Sequence, residues 1–199
     1  MTPIEQLLVE QFWLVPLIWA VLHISDFLST MATARLHAQA AGQVIQYEGG
    51  IELTPQFRED VRRLRLFSPR FILALLYMEI LILAIWFLST RVLPVPEAFL
   101  TIAGGLIFLE AVIHMRHLRN YFLFWHIRHT GQPSGKIIYP RWMMLKASAW
   151  EFLLFSLLFL VAWILHPAAS LAGGSLFCLA TALRHWLWGR REQRQKKEV

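Results

Sequence analysis

Five apolar runs, each about as long as a membrane-crossing helix, restrict the fold of this chain more than any other feature. They cover residues 12–34, 71–93, 98–115, 147–165 and 167–183. A helix needs about 20 apolar residues to cross the hydrocarbon layer of a bilayer. The sequence therefore predicts an all-α, polytopic membrane bundle of about five transmembrane helices, which forms a single domain over the whole chain.

The basic residues indicate which side of the membrane each connecting segment occupies. Of the 19 Lys and Arg residues, 18 lie in 35–70, 116–146 and 184–199, and the remaining one is Arg91. Cytoplasmic segments are enriched in Lys and Arg, so these segments are predicted to be two cytoplasmic loops and a cytoplasmic tail. The N-terminus is then outside, and an odd number of crossings puts the C-terminus inside, in agreement with the charge. We expect an integral protein of a prokaryotic cytoplasmic membrane.

The composition argues against several other classes of protein. The net charge is +6 and the chain is 57% hydrophobic. Because the positive charge lies at the predicted membrane borders, we expect lipid contact and no nucleic-acid binding. Cys178 is the single cysteine and lies within the last apolar run, so a disulfide framework and a cysteine-based metal site are both excluded.

The first basic loop is predicted to contain an amphipathic helix on the inner leaflet. Thr54 and Pro55 are typical of a helix start, with threonine as N-cap and proline as the first helical residue. Phe57, Val61 and Leu64 then recur at helical spacing, with arginines on the opposite face. Arginines of both loops are predicted to bind anionic lipid head groups or a protein partner, namely Arg58, Arg62, Arg65, Arg116 and Arg119.

Ionisable side chains inside the apolar runs are the main functional signal. Four acids on four predicted helices fall at a similar depth, on the cytoplasmic side of the membrane centre: Asp26, Glu79, Glu110 and Glu151. His23 lies one turn from Asp26, and His114 lies one turn from Glu110. A charged side chain in hydrocarbon is costly and usually faces a partner, a cavity or an ion. These six residues are therefore predicted to bind or relay a cation or protons.

The same residues suggest a metal site. Several carboxylates in a low dielectric cannot all stay ionised unless a cation is held among them. Oxygen ligands with one or two imidazoles suit hard or borderline divalent metals, and Glu110 and His114 offer two ligands from one helix face. A divalent metal ion is thus the predicted cofactor, with Asp26, Glu79, Glu110 and His114 as its ligands. In the alternative interpretation these groups only form interhelical hydrogen bonds that stabilise packing.

Three classes of function fit these features. The first is ion transport or a channel, in a homo-oligomer, with the acidic layer reached from the cytoplasm along residues 29–33. The second is a non-catalytic subunit or assembly factor of a membrane complex. The third is an intramembrane metal-dependent hydrolase, for which no catalytic residues are identified. Intramembrane ionisable groups mark ion pathways more often than hydrolytic centres, so ion handling is preferred and an enzyme is the least favoured class.

Overall fold

The chain folds almost entirely into helices. The computed structural model describes residues 1–130 and 134–196. Its α-helices are α1 (Pro3–Glu10), α2 (Leu14–Gln39), α3 (Arg58–Arg62), α4 (Pro69–Phe87), α5 (Pro96–Thr130), α6 (Arg141–Leu165) and α7 (Ala169–Gln195). A 3-10 turn covers Ala41–Gln43, a π-helical segment Leu88–Val92 extends α4, and two short strands are β1 (Ile45–Tyr47) and β2 (Ile137–Tyr139). The predicted all-α class fits this architecture.

Four helices are long and apolar enough to cross a membrane, which supports a membrane-embedded protein. They are α2, α4 with its π-helical extension, α5 and α6. Helix α5 runs unbroken for 35 residues, so the third apolar run and the basic segment after it form one helix. Helix α7 contains the fifth apolar run but continues through Arg184 into a charged end, and it is not among the four.

Long helices that are consecutive along the chain alternate in direction. The pairs of contacting residues that give these directions are Phe27 with Phe71 and Phe12, just before α2, with Trp86 for α2 and α4; His23 with Glu110 and Thr30 with His117 for α2 and α5; Phe108 with Phe159 and Arg116 with Ser148 for α5 and α6; and Ser156 with Ser175 and Ser148 with His185 for α6 and α7. Helices α2, α5 and α7 therefore run in one direction, and α4 and α6 run in the other.

Glycines bring α5 and α7 into backbone contact. A Cβ atom on Gly173 would lie 1.7 Å from the carbonyl oxygen of Thr101, and one on Gly104 would lie 2.2 Å from that of Ser170. No larger residue fits at either position without moving a helix, which is how small residues permit close packing in membranes. Below this crossing, a buried cluster joins α5, α6 and α7 through Val112, Phe152, Cys178 and Ala182.

The N-terminal helix α1 is fixed to the turn between α6 and α7 by one buried acid. Glu5 closes a capping box with Thr2. Its carboxylate also accepts hydrogen bonds from the Ser170 backbone N–H and hydroxyl, both at 3.1 Å. Burial works to raise the pKa of Glu5, but the hydrogen bonds from Thr2 and Ser170 outweigh burial and lower it.

The two basic loops meet in a small sheet that the sequence pattern does not predict. Strand β1 pairs with β2 in parallel, with Ile45 opposite Ile137 and Tyr47 opposite Tyr139. The two tyrosine rings stack with their centroids 5.6 Å apart. Ile45 also belongs to a buried cluster with Phe124 of α5, so the sheet is attached to the helices beneath it.

The amphipathic helix of the first loop is shorter than predicted and faces the protein. Phe57, rather than Thr54, precedes its first residue, and the chain leaves it at Leu64 with a positive φ of 51°. Val61 is buried in a cluster with Phe71 of α4. The carboxylate of Asp60 accepts a hydrogen bond of 2.6 Å from the Ser68 hydroxyl. A helix of one turn is not stable alone, so these tertiary contacts help to hold it in place.

Candidate functional site

Polar side chains of α2 and α5 face each other along one line between the two helices. Residues three or four apart share a helix face, so successive turns of each helix contribute a side chain to the line. We call this set the α2–α5 polar seam, and its members are His23, Ser25, Asp26, Thr30, Glu110, His114 and His117. Because α2 and α5 are parallel, the pairs succeed one another in the same order along both helices.

Histidines alternate with carboxylates along the polar seam. His23 Nδ1 lies 3.0 Å from Glu110 Oε1. His117 Nε2 lies 3.0 Å from Asp26 Oδ1, although the two are not aligned for a hydrogen bond, and 3.2 Å from Thr30 Oγ1. Within the described residues no lysine or arginine pairs with either carboxylate. Arg116 acts on Asp26 only through a longer-range electrostatic interaction, so a proton or a bound cation is the remaining source of positive charge in direct contact with the carboxylates.

Asp26, Glu110 and His114 form the densest part of the polar seam. Each offers a ligand atom, and the three atoms all lie within 4.8 Å of one another. Glu110 is only 7% exposed, and its Oε2 has no hydrogen-bond partner in the described part of the chain. A buried carboxylate oxygen without a partner is unfavourable unless the group is protonated or a cation lies beside it. Two oxygens and one imidazole nitrogen suit a hard or borderline divalent cation.

The orientation of His114 is typical of a metal ligand. Its Nδ1–H donates to the Glu110 carbonyl oxygen at 2.7 Å, so in the neutral ring Nε2 carries the lone pair. Nε2 lies 2.6 Å from the Ser25 hydroxyl, which also donates to the Leu22 carbonyl oxygen at 2.9 Å. One hydroxyl proton cannot satisfy both acceptors, so Ser25 donates to only one of them at a time.

Three of the four predicted metal ligands meet in this structure, and Glu79 lies outside the group. The Oε1 atom of Glu79 is buried without a hydrogen-bond partner in the described residues, and its carboxylate interacts electrostatically with His23. Glu151 lies on a different side of α5, where it pairs with Arg119. The predicted acidic layer is therefore divided into a cluster at α2 and α5, a neighbour on α4 and a separate ion pair at α6.

His117 is the member of the polar seam that the sequence reasoning missed. It is 7% exposed and contacts Asp26, whereas a segment rich in arginine and aromatic residues is more typical of a membrane interface. The available signal is the spacing of Glu110, His114 and His117, which are four and three residues apart and so fall on one helix face.

A groove adjoins the polar seam. It has a volume of about 360 Å³ and is lined by Ser29, Thr33, His114 and His117 together with apolar neighbours. Thr33 is fully buried, and its hydroxyl has no hydrogen-bond partner in the described chain. The groove thus adjoins both the predicted approach along residues 29–33 and the imidazole of His114.

The five arginines predicted as a binding surface differ in their environment. Arg62 pairs with Glu59 at 2.7 Å, and Arg65 lies 3.9 Å from Asp60. Arg116 donates to the Ser148 hydroxyl at 2.6 Å and lies over the ring of Phe152, and Arg119 pairs with Glu151. Arg58 forms no ion pair or hydrogen bond with the residues that the structure describes, and its Nε and Nη2 atoms are buried.

Comparison with known proteins adds no further information to this geometry. No protein family model, no curated protein and no solved structure matches the chain.

Proposed function

We propose that this protein binds and translocates a divalent cation within the membrane, and that Asp26, Glu110 and His114 are its ligands. The observation that carries the proposal is the Glu110 carboxylate, which is buried, has one oxygen without a hydrogen-bond partner in the described chain, and lies within 4.8 Å of two other ligand atoms. Such an arrangement is unfavourable for packing alone and favourable around a cation.

The proposal includes five membrane crossings, with the N-terminus outside and the C-terminus in the cytoplasm. Helix α7 lies antiparallel along the full length of α6, since Ser175 contacts Ser156 near one end and Gly189 lies against Trp142 near the other. A crossing by α6 therefore implies a return by α7. With α2, α5 and α7 running inward, the three basic segments all fall on one side, as the positive-inside rule requires.

The histidines of the polar seam connect cation binding to proton movement. Carboxylate and imidazole groups must be deprotonated to bind a metal, so binding releases protons. His23 and His117 contact Glu110 and Asp26 directly and can accept those protons at Nδ1 and Nε2. We therefore propose that cation uptake from the groove beside His114 is coupled to protonation of these two histidines.

Metal analysis of the purified protein tests the site. Protein in detergent is loaded with Zn²⁺, Mn²⁺ or Mg²⁺ in turn, desalted and analysed for metal content. We expect a stoichiometric metal in the parent protein and its loss in Asp26→Asn, Glu110→Gln and His114→Ala. Glu151→Gln is the matched control, since Glu151 is an acid that pairs with Arg119 outside the polar seam, and this variant should keep its metal. A parent protein that binds none of the three metals would refute the site.

Flux measurements test translocation. Proteoliposomes that contain a metal-sensitive dye should take up the bound metal with the parent protein and with Glu151→Gln, but not with Glu110→Gln. Equal uptake by Glu110→Gln and the parent would contradict the proposal and would favour a packing role in a non-catalytic subunit.

A hydrolase is the second candidate, and one feature of the site favours it. Three protein ligands leave a coordination position open, which is typical of catalytic metal sites. A metal there would activate a water molecule against a lipid or peptide bond. Turnover of native lipid extracts that stops with chelator would favour this candidate over transport.

A further inference from the structure

Two arginines at the cytoplasmic loops carry buried donors that no described group satisfies. In Arg58 these are Nε and Nη2, and in Arg141 it is Nε. Arg141 uses its other nitrogens, donating from Nη1 to Glu192 at 2.7 Å and from Nη2 to the Leu53 carbonyl oxygen at 3.5 Å. Buried polar groups in proteins almost always have a partner, so three such donors on two cations call for an acceptor, and their charge favours an anion.

The two guanidinium groups lie near each other, at the loop that follows β1. They are close enough to repel each other electrostatically, with Arg58 the main cationic neighbour of Arg141. The loop after β1 brings them together, because Gly49 lies against the Arg141 side chain, where a Cβ would stand 3.3 Å from Cδ. Gly49 has a φ of 83°, a conformation that favours glycine, so the loop follows this path without strain.

A cavity of about 510 Å³ opens beside Arg58. Its lining includes His37, Tyr47, Gly49, Gly50 and Arg62. This volume is within the range of small-molecule sites in proteins. Two acids also line the cavity, but both are engaged: Glu52 accepts from the Thr54 N–H at 2.6 Å, and Glu59 pairs with Arg62. Neither acid pairs with Arg58, so no ion pair has to be broken for Arg58 to contact a ligand.

We infer that this cavity binds a phosphate group, with Arg58 as its principal contact and Arg141 as a second cation behind it. The Nε–H and Nη2–H of a guanidinium point in the same direction and match two oxygens of one phosphate, which is the bidentate geometry that arginine favours. A phosphate also carries more negative charge than a carboxylate, which favours it where a second cation, Arg141, lies behind Arg58. The inference is independent of the metal site proposed above.

Two sources supply such a group at this position, and they can be separated experimentally. The cavity lies between the cytoplasmic end of α2 and the loop before α4, so either a phospholipid head group or a soluble phosphorylated molecule can reach it. Inorganic phosphate, titrated into detergent-purified protein, probes the soluble source. Nanodiscs of phosphatidylcholine with phosphatidylglycerol, followed by native mass spectrometry of retained lipid, probe the lipid source.

Variants of Arg58 decide whether the site exists. Arg58→Gln should weaken binding of the active probe about tenfold or more, since a charge-assisted bidentate contact is lost. Arg58→Lys should give intermediate binding, because it keeps the charge and loses the fork. Arg62→Gln is the matched control: its side chain lines the same cavity but is 72% exposed and already paired, so binding should match the parent protein.

The possible outcomes separate the inference from its alternatives. Binding of inorganic phosphate alone assigns a soluble phosphorylated ligand, and retention of phosphatidylglycerol alone assigns a lipid. Failure of the parent protein to bind either probe, or equal binding by Arg58→Gln and the parent, overturns the inference. Metal content measured in Arg58→Gln should equal that of the parent, which keeps this result distinct from failure of the metal site.

Discussion

The two faces of α5 satisfy their polar groups in opposite ways. Toward α7, backbones touch through glycine, and the adjoining α6–α7 interface pairs its polar groups, such as the Ser148 hydroxyl with His185 Nδ1 at 2.9 Å. Toward α2, Glu110 Oε2 and His117 Nδ1 are buried without hydrogen-bond partners among the described residues. Polar groups left unsatisfied in an apolar environment cost stability. The two sides of α5 thus differ in how completely their buried polar groups are paired, and the proposed binding role rests on the side toward α2.

Two buried acids show the same contrast at the level of single residues. Glu5 is 2% exposed and accepts hydrogen bonds from Thr2 and from Ser170, so its charge is stabilised by neutral donors. Glu110 is about as buried, yet it has one histidine contact and one oxygen without a partner in the described chain. Burial of a carboxylate therefore does not by itself mark a site, and the feature that separates Glu110 from Glu5 is its unpaired oxygen Oε2.

Breaking the glycine contact should have the largest effect on the protein. We expect Gly173→Leu to prevent stable packing of α5 on α7, because even a Cβ at this position would meet the Thr101 carbonyl oxygen at 1.7 Å. Thermal unfolding in detergent measures the loss. Gly50→Ala is the control, since a Cβ there meets no atom within 4 Å and only its φ of 90° is unfavourable, so the cost should be about 1 kcal/mol. Equal stability of Gly173→Leu and the parent would contradict the helix contact.

Replacing one histidine on each side of α5 by alanine tests whether the two sides have different roles. His117→Ala should weaken metal binding about 10- to 100-fold, since His117 supports the ligand Asp26, and should change stability little. His185→Ala removes one of the two partners of the Ser148 hydroxyl, the other being Arg116, and should destabilise the protein by about 1 kcal/mol while metal affinity is kept. Chelator competition and thermal unfolding measure the two quantities. The comparison fails if both variants lose metal affinity to the same extent.

The smallest expected effect concerns the satisfied acid. Because the pKa of Glu5 is lowered in the folded protein, its charge stabilises the fold above the ordinary glutamate pKa of about 4.5, and this stability is lost as the pH falls through the folded pKa. The free energy of unfolding of Glu5→Gln at pH 7 should therefore be about 1 kcal/mol lower than that of the parent, which lowers its unfolding temperature. This difference in free energy should shrink at acidic pH. A difference that stays constant between neutral and acidic pH would show that the Glu5 charge does not contribute.

The sequence predicts the local periodicity of the helices well and the pairing between helices poorly. The apolar runs and the spacing of Glu110 and His114 depend only on local helix geometry, and the structure contains both. The contact of Asp26 with His117 depends on how α2 and α5 are rotated, which no local pattern specifies. The flanking Arg116 and Arg119 also suggest a membrane interface, although both arginines lie on the α6 side of the same helix.

Short elements were the least predictable part of the fold for a related reason. The start of α3 at Arg58 instead of Pro55 depends on Val61 and Asp60 finding partners near α4. Strands β1 and β2 have three residues each, too few for a recognisable alternation. The donors of Arg58 are likewise visible only in three dimensions, because the sequence does not distinguish a paired arginine from an unpaired one.

The small parallel sheet has a consequence for the order of assembly during synthesis. Its two strands are separated along the chain by α3, α4 and α5, so β1 has no partner until all three helices have left the ribosome. Both helices that carry the polar seam are then already made. Pairing of Ile45 with Ile137 is therefore a late step of folding, because it joins the two loops only after α2 and α5 have both been synthesised.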